Sequence, residues 1–331
     1  MNRRKLLLTA AGIAAMSLFS PASSMAQSVD IGYSVTDTTN PFLGWLTNEV
    51  KALAEKDGIT LEIADAGLSP VKQMEQIENF IAMGVKVIDI MPVDPNNVQD
   101  IIKRAQAQGI KILVAGTDTG VYDVMMNIDQ YGAGRDAVNL ATEWMVQKFS
   151  SDGTAKGMPQ GDESLKVIVI PQTDTIDAKN RTNGMIETIQ AWGHANVVVS
   201  PTEAKSTAQG TSVMETLFLQ NPDVDVVLTY NADAALGVNE YLMSQFGLDH
   251  SKIGVFTGDW SPPVQETIDM SADNESVFRG TIQIAGPVLN GEPVDLPVAT
   301  YKVMKALMEG EKPWGDWIKD AVGRALPKKG W

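Results

Sequence analysis

Val- and Ile-rich runs recur along this chain at intervals of about 24 to 30 residues, with longer amphipathic stretches between them. One set begins at Val29 (VDIGYSV), Ile59 (ITLEIAD), Lys86 (KVIDIMP) and Ile110 (IKILVAG). A second begins at Leu165 (LKVIVIP), Ala195 (ANVVVSP), Val224 (VDVVLTY) and Lys252 (KIGVFTG). Near-continuous apolar runs that stop at turn residues suit strands buried on both faces of a parallel sheet. Each interval has room for one strand and one crossover helix, the βαβ unit. Helix patterns over 41–56, 71–83, 96–108 and 178–192 fill four of the gaps, and Gly58, Gly84, Gly109 and Gly193 follow the four, where a left-handed cap favours glycine. Two sets of four such units predict an α/β fold of two similar doubly wound lobes, and 331 residues fit two domains. The polar stretch 150–164 reads as a surface loop. A helix pattern at 301–308 and the segment 314–325 follow the second set without an evident place in it.

Composition narrows the chemistry. Acids outnumber bases 41 to 26, a formal charge of −15, which argues against a nucleic-acid partner. There is no cysteine, and His194 and His250 are the two histidines, so thiol nucleophiles, disulfides and cysteine-ligated metals are excluded. At the N-terminus, Arg3-Arg4-Lys5 precede an apolar run over 6–19, and Ser24-Met25-Ala26 fits a small-x-small cleavage site. Fourteen residues are too few to span a bilayer. Residues 1–26 therefore read as an export signal, Sec-type or twin-arginine, and their removal takes the charge to −18. The mature chain is expected to be soluble and periplasmic.

Ligands of open parallel sheets bind beyond the carboxyl ends of the strands. The residues there are Thr36-Asp37-Thr38-Thr39-Asn40-Pro41-Phe42, Thr117-Asp118-Thr119, Gln172-Thr173-Asp174 with Asp177, Lys179 and Arg181, then Tyr230-Asn231-Ala232-Asp233 and Gly258-Asp259-Trp260-Ser261. Carboxylates accept paired hydrogen bonds from neighbouring hydroxyls, amides and bases donate to hydroxyl oxygens, and aromatic faces cover C–H faces. The mixture suits a neutral, hydroxyl-rich small molecule. Singly, each Thr, Asp or Asn could equally cap the helix that follows. Clustering at several strand ends favours the ligand.

Thr39-Asn40-Pro41-Phe42 resembles the NPF motif of ribose-type periplasmic solute-binding proteins. Gly84-Val85-Lys86-Val87-Ile88 with Pro92, Asn231 followed by Ala235-Leu236-Gly237, Gly258-Asp259 and Thr281-Ile282-Gln283 match the same family, in order over nearly all of 29–310. The resemblance implies a type I periplasmic binding protein: a receptor that closes two lobes around a monosaccharide or sugar alcohol, delivers it to an ABC permease, and acts as a monomer without cofactor or catalysis. It implies a first lobe of 27–131 plus 284–312, a second of 132–283 plus 313–331, and a three-segment hinge. Carried over by position, the ligand contacts would be Asn40 and Phe42, Thr117 or Asp118, Lys179 and Arg181, then Asn231, Asp259 and Gln283. Trp260 would restore a stacking face. Leu43, Lys205 and Ala232 depart from the family's aromatic, aromatic and acid, which moves the expectation from ribose to another sugar or a polyol. A furanone signal, a nucleoside or an exported enzyme on this fold are the alternatives. A cytoplasmic repressor of the same core architecture would carry a helix-turn-helix in place of the export signal.

Gly132-Ala133-Gly134 with Ala137 is formally a G-x-G-x-x-A pattern, but the acid expected at the next strand end is missing, because the loop from Ser150 occupies that place. His194 and His250 precede strands, on the edge away from the expected cleft. Asp223 and Asp225 flank a strand start on that same edge and read as solvated.

Overall fold

All eight Val/Ile runs form strands, and the computed structural model describes residues 28–289, 292–312 and 314–331. The expected export signal, residues 1–26, lies outside the described residues. The first half of the sheet comprises β1 (Ile31–Val35), β2 (Leu61–Asp65), β3 (Val87–Ile90), β4 (Lys111–Ala115) and β5 (Val124–Asn127). Helices α1 (Pro41–Lys56), α2 (Pro70–Met83) and α3 (Gln99–Ala107) cross between them, and α4 (Gln130–Phe149) leads away from β5. The second half comprises β6 (Leu165–Ile170), β7 (Ala195–Val199), β8 (Val226–Thr229), β9 (Gly254–Thr257) and β10 (Phe278–Leu289). Its helices are α5 (Ile176–Trp192), α6 (Thr207–Gln220), α7 (Ala232–Met243) and α8 (Pro262–Met270). The chain ends with β11 (Glu292–Pro293), α9 (Leu296–Met308) and β12 (Trp317–Ala325).

Both halves have the same strand order. The first runs β2-β1-β3-β4-β5 and the second β7-β6-β8-β9-β10, every neighbouring pair parallel. β12 joins them into one sheet. Its first residues, Trp317 to Lys319, pair in parallel with Met125 to Asn127 of β5. Its later residues run antiparallel to β10, from Asp320 opposite Pro287 to Ala325 opposite Thr281. Residues 317–319, expected with the second lobe, thus extend the first half instead, because nine residues are long enough for one strand to serve both.

The strands are apolar because helices cover both faces of each half. Ile31, Tyr33 and Val87 pack beneath α1 and α9, while Ile88, Ile112 and Met125 pack beneath α2 and α3. In the second half, Val167 and Phe256 face α4 and α5, whereas Ile168 and Val255 face α6 and α7. Alternation of buried residues along a strand onto two covered faces is the period-2 rule at work.

Gly134 and Gly184 set the packing of α4 on α5. A Cβ at Gly134 would lie 2.0 Å from the carbonyl oxygen of Arg181, and one at Gly184 would lie 2.2 Å from that of Tyr131. Small residues at both positions let the two backbones touch. The G-x-G-x-x-A pattern is therefore a helix-packing device, and it holds the backbone of Arg181 in place. The two histidines lie outside the strand-end region: His250 Nε2 is 3.2 Å from the Leu242 carbonyl, and His194 stands edge-on to Trp192.

Candidate functional site

Loops from the carboxyl ends of both half-sheets converge on a cavity of about 670 Å³, within the range typical of small-molecule sites. In a 2-1-3-4-5 sheet, the connections from the first and third strands leave toward opposite faces, opening a crevice at that switch point. The same crevice exists twice here. Asn40 follows β1 and Met91 follows β3, while Gln172 follows β6 and Asn231 follows β8, and all four line the cavity.

The two asparagines both cap helices and face the site. Asn40 caps α1 by accepting the Leu43 N–H at 2.9 Å, which leaves its amide nitrogen free to donate to Asp233 on α7. Asn231 caps α7 by accepting the Ala234 N–H at 2.8 Å, and its amide nitrogen donates to Gln172 Oε1 at 3.1 Å. Each side chain offers an acceptor to the backbone and a donor to the cleft. Capping and cleft contact are here one arrangement.

Arg181 is the buried cation of the site, 3% exposed. Its Nε donates to Gln130 Oε1 at 2.9 Å, and its Nη1 donates to Asp259 Oδ1 at 3.0 Å and to the Tyr230 carbonyl at 3.3 Å. Its guanidinium carbon sits 4.6 Å from the centre of the Tyr230 ring. Asp259 holds a left-handed backbone, φ +73°, costly for a residue with a Cβ. The Thr281 hydroxyl, donating to the Asp259 carbonyl at 2.9 Å, helps keep it there.

Two lining carboxyls are held near neutrality. Burial, reinforced by the charges of Asp259 and Asp37, pushes the Asp233 carboxyl up to about 7 against the opposing hydrogen bond from Asn40. Burial pushes Asp320 on β12 up to about 7 as well. Asp320 is 6% exposed, and its Oδ1 has no hydrogen-bond partner among the described residues. Asp174 is held below the usual carboxylate range: burial raises it, but hydrogen bonds from Lys205 and Gln172 outweigh that.

Of the residues expected from sequence, Asn40, Phe42, Thr117, Arg181, Asn231 and Asp259 line the cavity. Between Thr117 and Asp118 the lining residue is Thr117; the Asp118 side chain is exposed and accepts the Gly120 N–H at 2.7 Å. Lys179 is exposed on α5, because two residues are about 200° apart on a helix and the buried face belongs to Arg181. Trp260 stacks on no cavity surface. It donates from Nε1 to Gln265 at 2.9 Å and meets Trp45 edge to face. Gln283 also stays out of the wall; strand alternation gives that place to its neighbour Ile284.

Asp37, Gln172, Asp174 and Asp233 belong to the polar strand ends but are not singled out by the resemblance. Asp320 carried one signal, an acid inside an otherwise strand-like stretch (WIKDAVGRA), in a segment with no assigned place. Among the described residues no helix is long and apolar enough to cross a membrane.

The family model for the periplasmic binding protein domain matches residues 31–312. The ribose import binding protein of Salmonella typhimurium is 26% identical over 308 residues, covering 89% of this chain and 98% of that protein. A Mycobacterium smegmatis protein solved with β-D-fucofuranose superposes with a TM-score of 0.72 at 21% identity, covering 90% of this chain and 91% of that one. An ABC transporter solute-binding protein from Bacillus halodurans with bound myo-inositol gives 0.69 at 21% identity, covering 92% and 97%. The doubled 2-1-3-4-5 sheet, the cavity between its halves and the match over 31–312 agree: the chain belongs to the periplasmic binding protein domain family.

Proposed function

We propose that this chain is an exported receptor that captures a monosaccharide or sugar alcohol in the cavity and delivers it to the membrane permease of an ABC importer. The observation that carries this reading is the convergence of Asn40, Phe42 and Thr117 from one half-sheet with Arg181, Asn231 and Asp259 from the other on a single cavity. Amides and carboxylates there are of the type that pairs with ligand hydroxyls, and Phe42 offers a face for C–H groups. The sugar- and inositol-bound relatives support the ligand class.

Binding is by closure. The lobes, 27–131 with 284–312 against 132–283 with the end of the chain, would pivot on the segment after β5, on β10 and on β12. Ligand touching both lobes favours the closed arrangement, and only that differential contact can shift the balance. No bond is made or broken, no cofactor takes part, and the receptor acts as a monomer in the periplasm after residues 1–26 direct export. The charge of −15 suits a partner other than nucleic acid.

A thermal-shift screen of sugars and polyols tests this, since a ligand at 100 times its dissociation constant adds about 2.7 kcal/mol. A shift with a nucleoside or furanone and none with any sugar or polyol would replace the ligand class. Turnover of a bound sugar would replace the receptor by an enzyme. Small-angle scattering should show a smaller radius with ligand.

A further inference from the structure

The cavity wall is overstocked with carboxylates. Asp37, Asp174, Asp233, Asp259 and Asp320 line it, against Arg181 and Lys205 as the basic side chains among the described lining residues. Both bases are engaged: Arg181 pairs with Asp259 at 3.0 Å, and Lys205 pairs with Asp174 at 2.9 Å and lies 3.7 Å from Glu203. Asp37, Asp233 and Asp320 have no cation among the described residues.

These three occupy different sides of the cavity. Asp37 follows β1, and its Oδ1 accepts the Thr39 N–H and hydroxyl at 2.8 and 2.7 Å. Asp233 starts α7 on the other half-sheet and receives the Asn40 amide. Asp320 stands on β12, where the chain passes between the halves, and its Oδ1 is the unpartnered oxygen. Of the three, Asp320 is the one with a buried oxygen that has no partner among the described residues, and such a carboxylate costs several kcal/mol unless it takes up a proton or meets a cation. A sugar that offers only hydroxyls can donate hydrogen bonds to these oxygens but brings no charge to balance the surplus. An ammonium group answers it, with three donors and a positive charge on a compact centre.

On the reading above that the ligand is a sugar or polyol, we propose that it is an aminated one, its ammonium group facing Asp320 and drawn also by Asp233 and Asp37, its hydroxyls facing Asn40, Asn231 and Arg181–Asp259. The surplus carboxylates then act as the specificity element against the parent sugars. They also favour closure, because Asp37 and Asp233 approach the same cation from opposite half-sheets.

Calorimetry with matched triplets tests this. Glucosamine, galactosamine and an aminated inositol are each compared with the hydroxyl parent and the N-acetylated form, which keeps the nitrogen but not the charge. At least one amine should bind tenfold or more tighter than both its neutral counterparts, and Asp320→Asn should weaken that amine at least tenfold. Should Asp320→Asn fail to fold, Asp37→Asn provides the same reading from the opposite wall, with a smaller loss in the same direction. A parent that binds as tightly as its amine overturns the inference and leaves the sugar receptor standing. An amine affinity unchanged in both variants also overturns it. Silence of the whole panel, parents included, removes the sugar reading and this inference with it.

Discussion

Trp45 on α1 and Trp260 before α8 meet edge to face, with ring centroids 5.3 Å apart and planes at 88°. The two indoles belong to opposite half-sheets, so the contact bridges the cleft mouth without entering the cavity. Edge-to-face pairs contribute about 0.5–1.5 kcal/mol beyond burial. Under the closure proposed above, opening the cleft would separate them. Ligand should therefore change the tryptophan emission, and Trp45→Phe and Trp260→Phe should each remove most of that change while weakening affinity about two- to tenfold. If Trp260 stacked on ligand, the response would persist in Trp45→Phe, and that outcome would refute the arrangement.

Asp259 is the charge that neutralises Arg181, whose side chain is 4% exposed against 16% for the aspartate. Removing one member of a buried pair leaves the other uncompensated, at about 3–5 kcal/mol. Asp259→Ala should lose stability toward the lower end of that range, since the carboxylate retains some water contact, and should weaken ligand at least tenfold. Urea denaturation and calorimetry measure the two effects separately. A loss of stability below about 1 kcal/mol would mean that Arg181 does not depend on this partner.

Close approach of α4 and α5 fixes where Arg181 begins. A methyl at Gly134 would stand 2.0 Å from the Arg181 carbonyl, a backbone atom with no rotamer to escape into. Gly134→Ala should force the helices apart at a cost of about 1–3 kcal/mol, and should weaken ligand although Gly134 does not line the cavity. Helix propensity alone favours alanine here by about 1 kcal/mol. A variant more stable than the parent would show that propensity wins and the contact is looser than described.

How far the sequence could be read follows from how local each cause is. The bounds 41–56 of α1 were legible because Asn40, Pro41 and an amphipathic pattern mark its start and end within one segment. Asn40, Arg181, Asn231 and Asp259 were legible because strand ends collect cleft residues wherever a parallel sheet forms. The differences between the expected contacts and the cavity lining have non-local causes. Choosing Arg181 over Lys179 depends on which face of α5 meets α4, and the role of Trp260 depends on Trp45, far earlier in the chain. Asp320 became a cavity residue only through the pairing of β12 with both β5 and β10, which no short-range pattern announces. The acid surplus of the cavity was diluted, in a composition dominated by surface acids, beyond recognition.

Asp89 provides the last prediction, away from the cleft. It sits mid-strand on β3 in register with Tyr33 of β1, and both are fully buried. Neither oxygen of Asp89 nor the Tyr33 hydroxyl has a hydrogen-bond partner among the described residues. Burial raises the Asp89 carboxyl well above its ordinary value. In the unfolded chain the same group releases its proton near pH 4. Above that pH the folded state holds the proton that the unfolded state has lost, so stability falls as pH rises toward the folded value. The slope for one such group is at most about 1.4 kcal/mol per pH unit. Asp89→Asn cannot ionise and should lose this component, gaining on the parent as pH rises from 5 to 8. Asp233 and Asp320, both held near 7, add a similar decline between about pH 4 and 7 that this variant retains. Denaturation midpoints of the two proteins at pH 5 and pH 8 measure the difference. Parallel behaviour across that range would mean that Asp89 finds a partner or water in solution and is not an unpartnered buried acid.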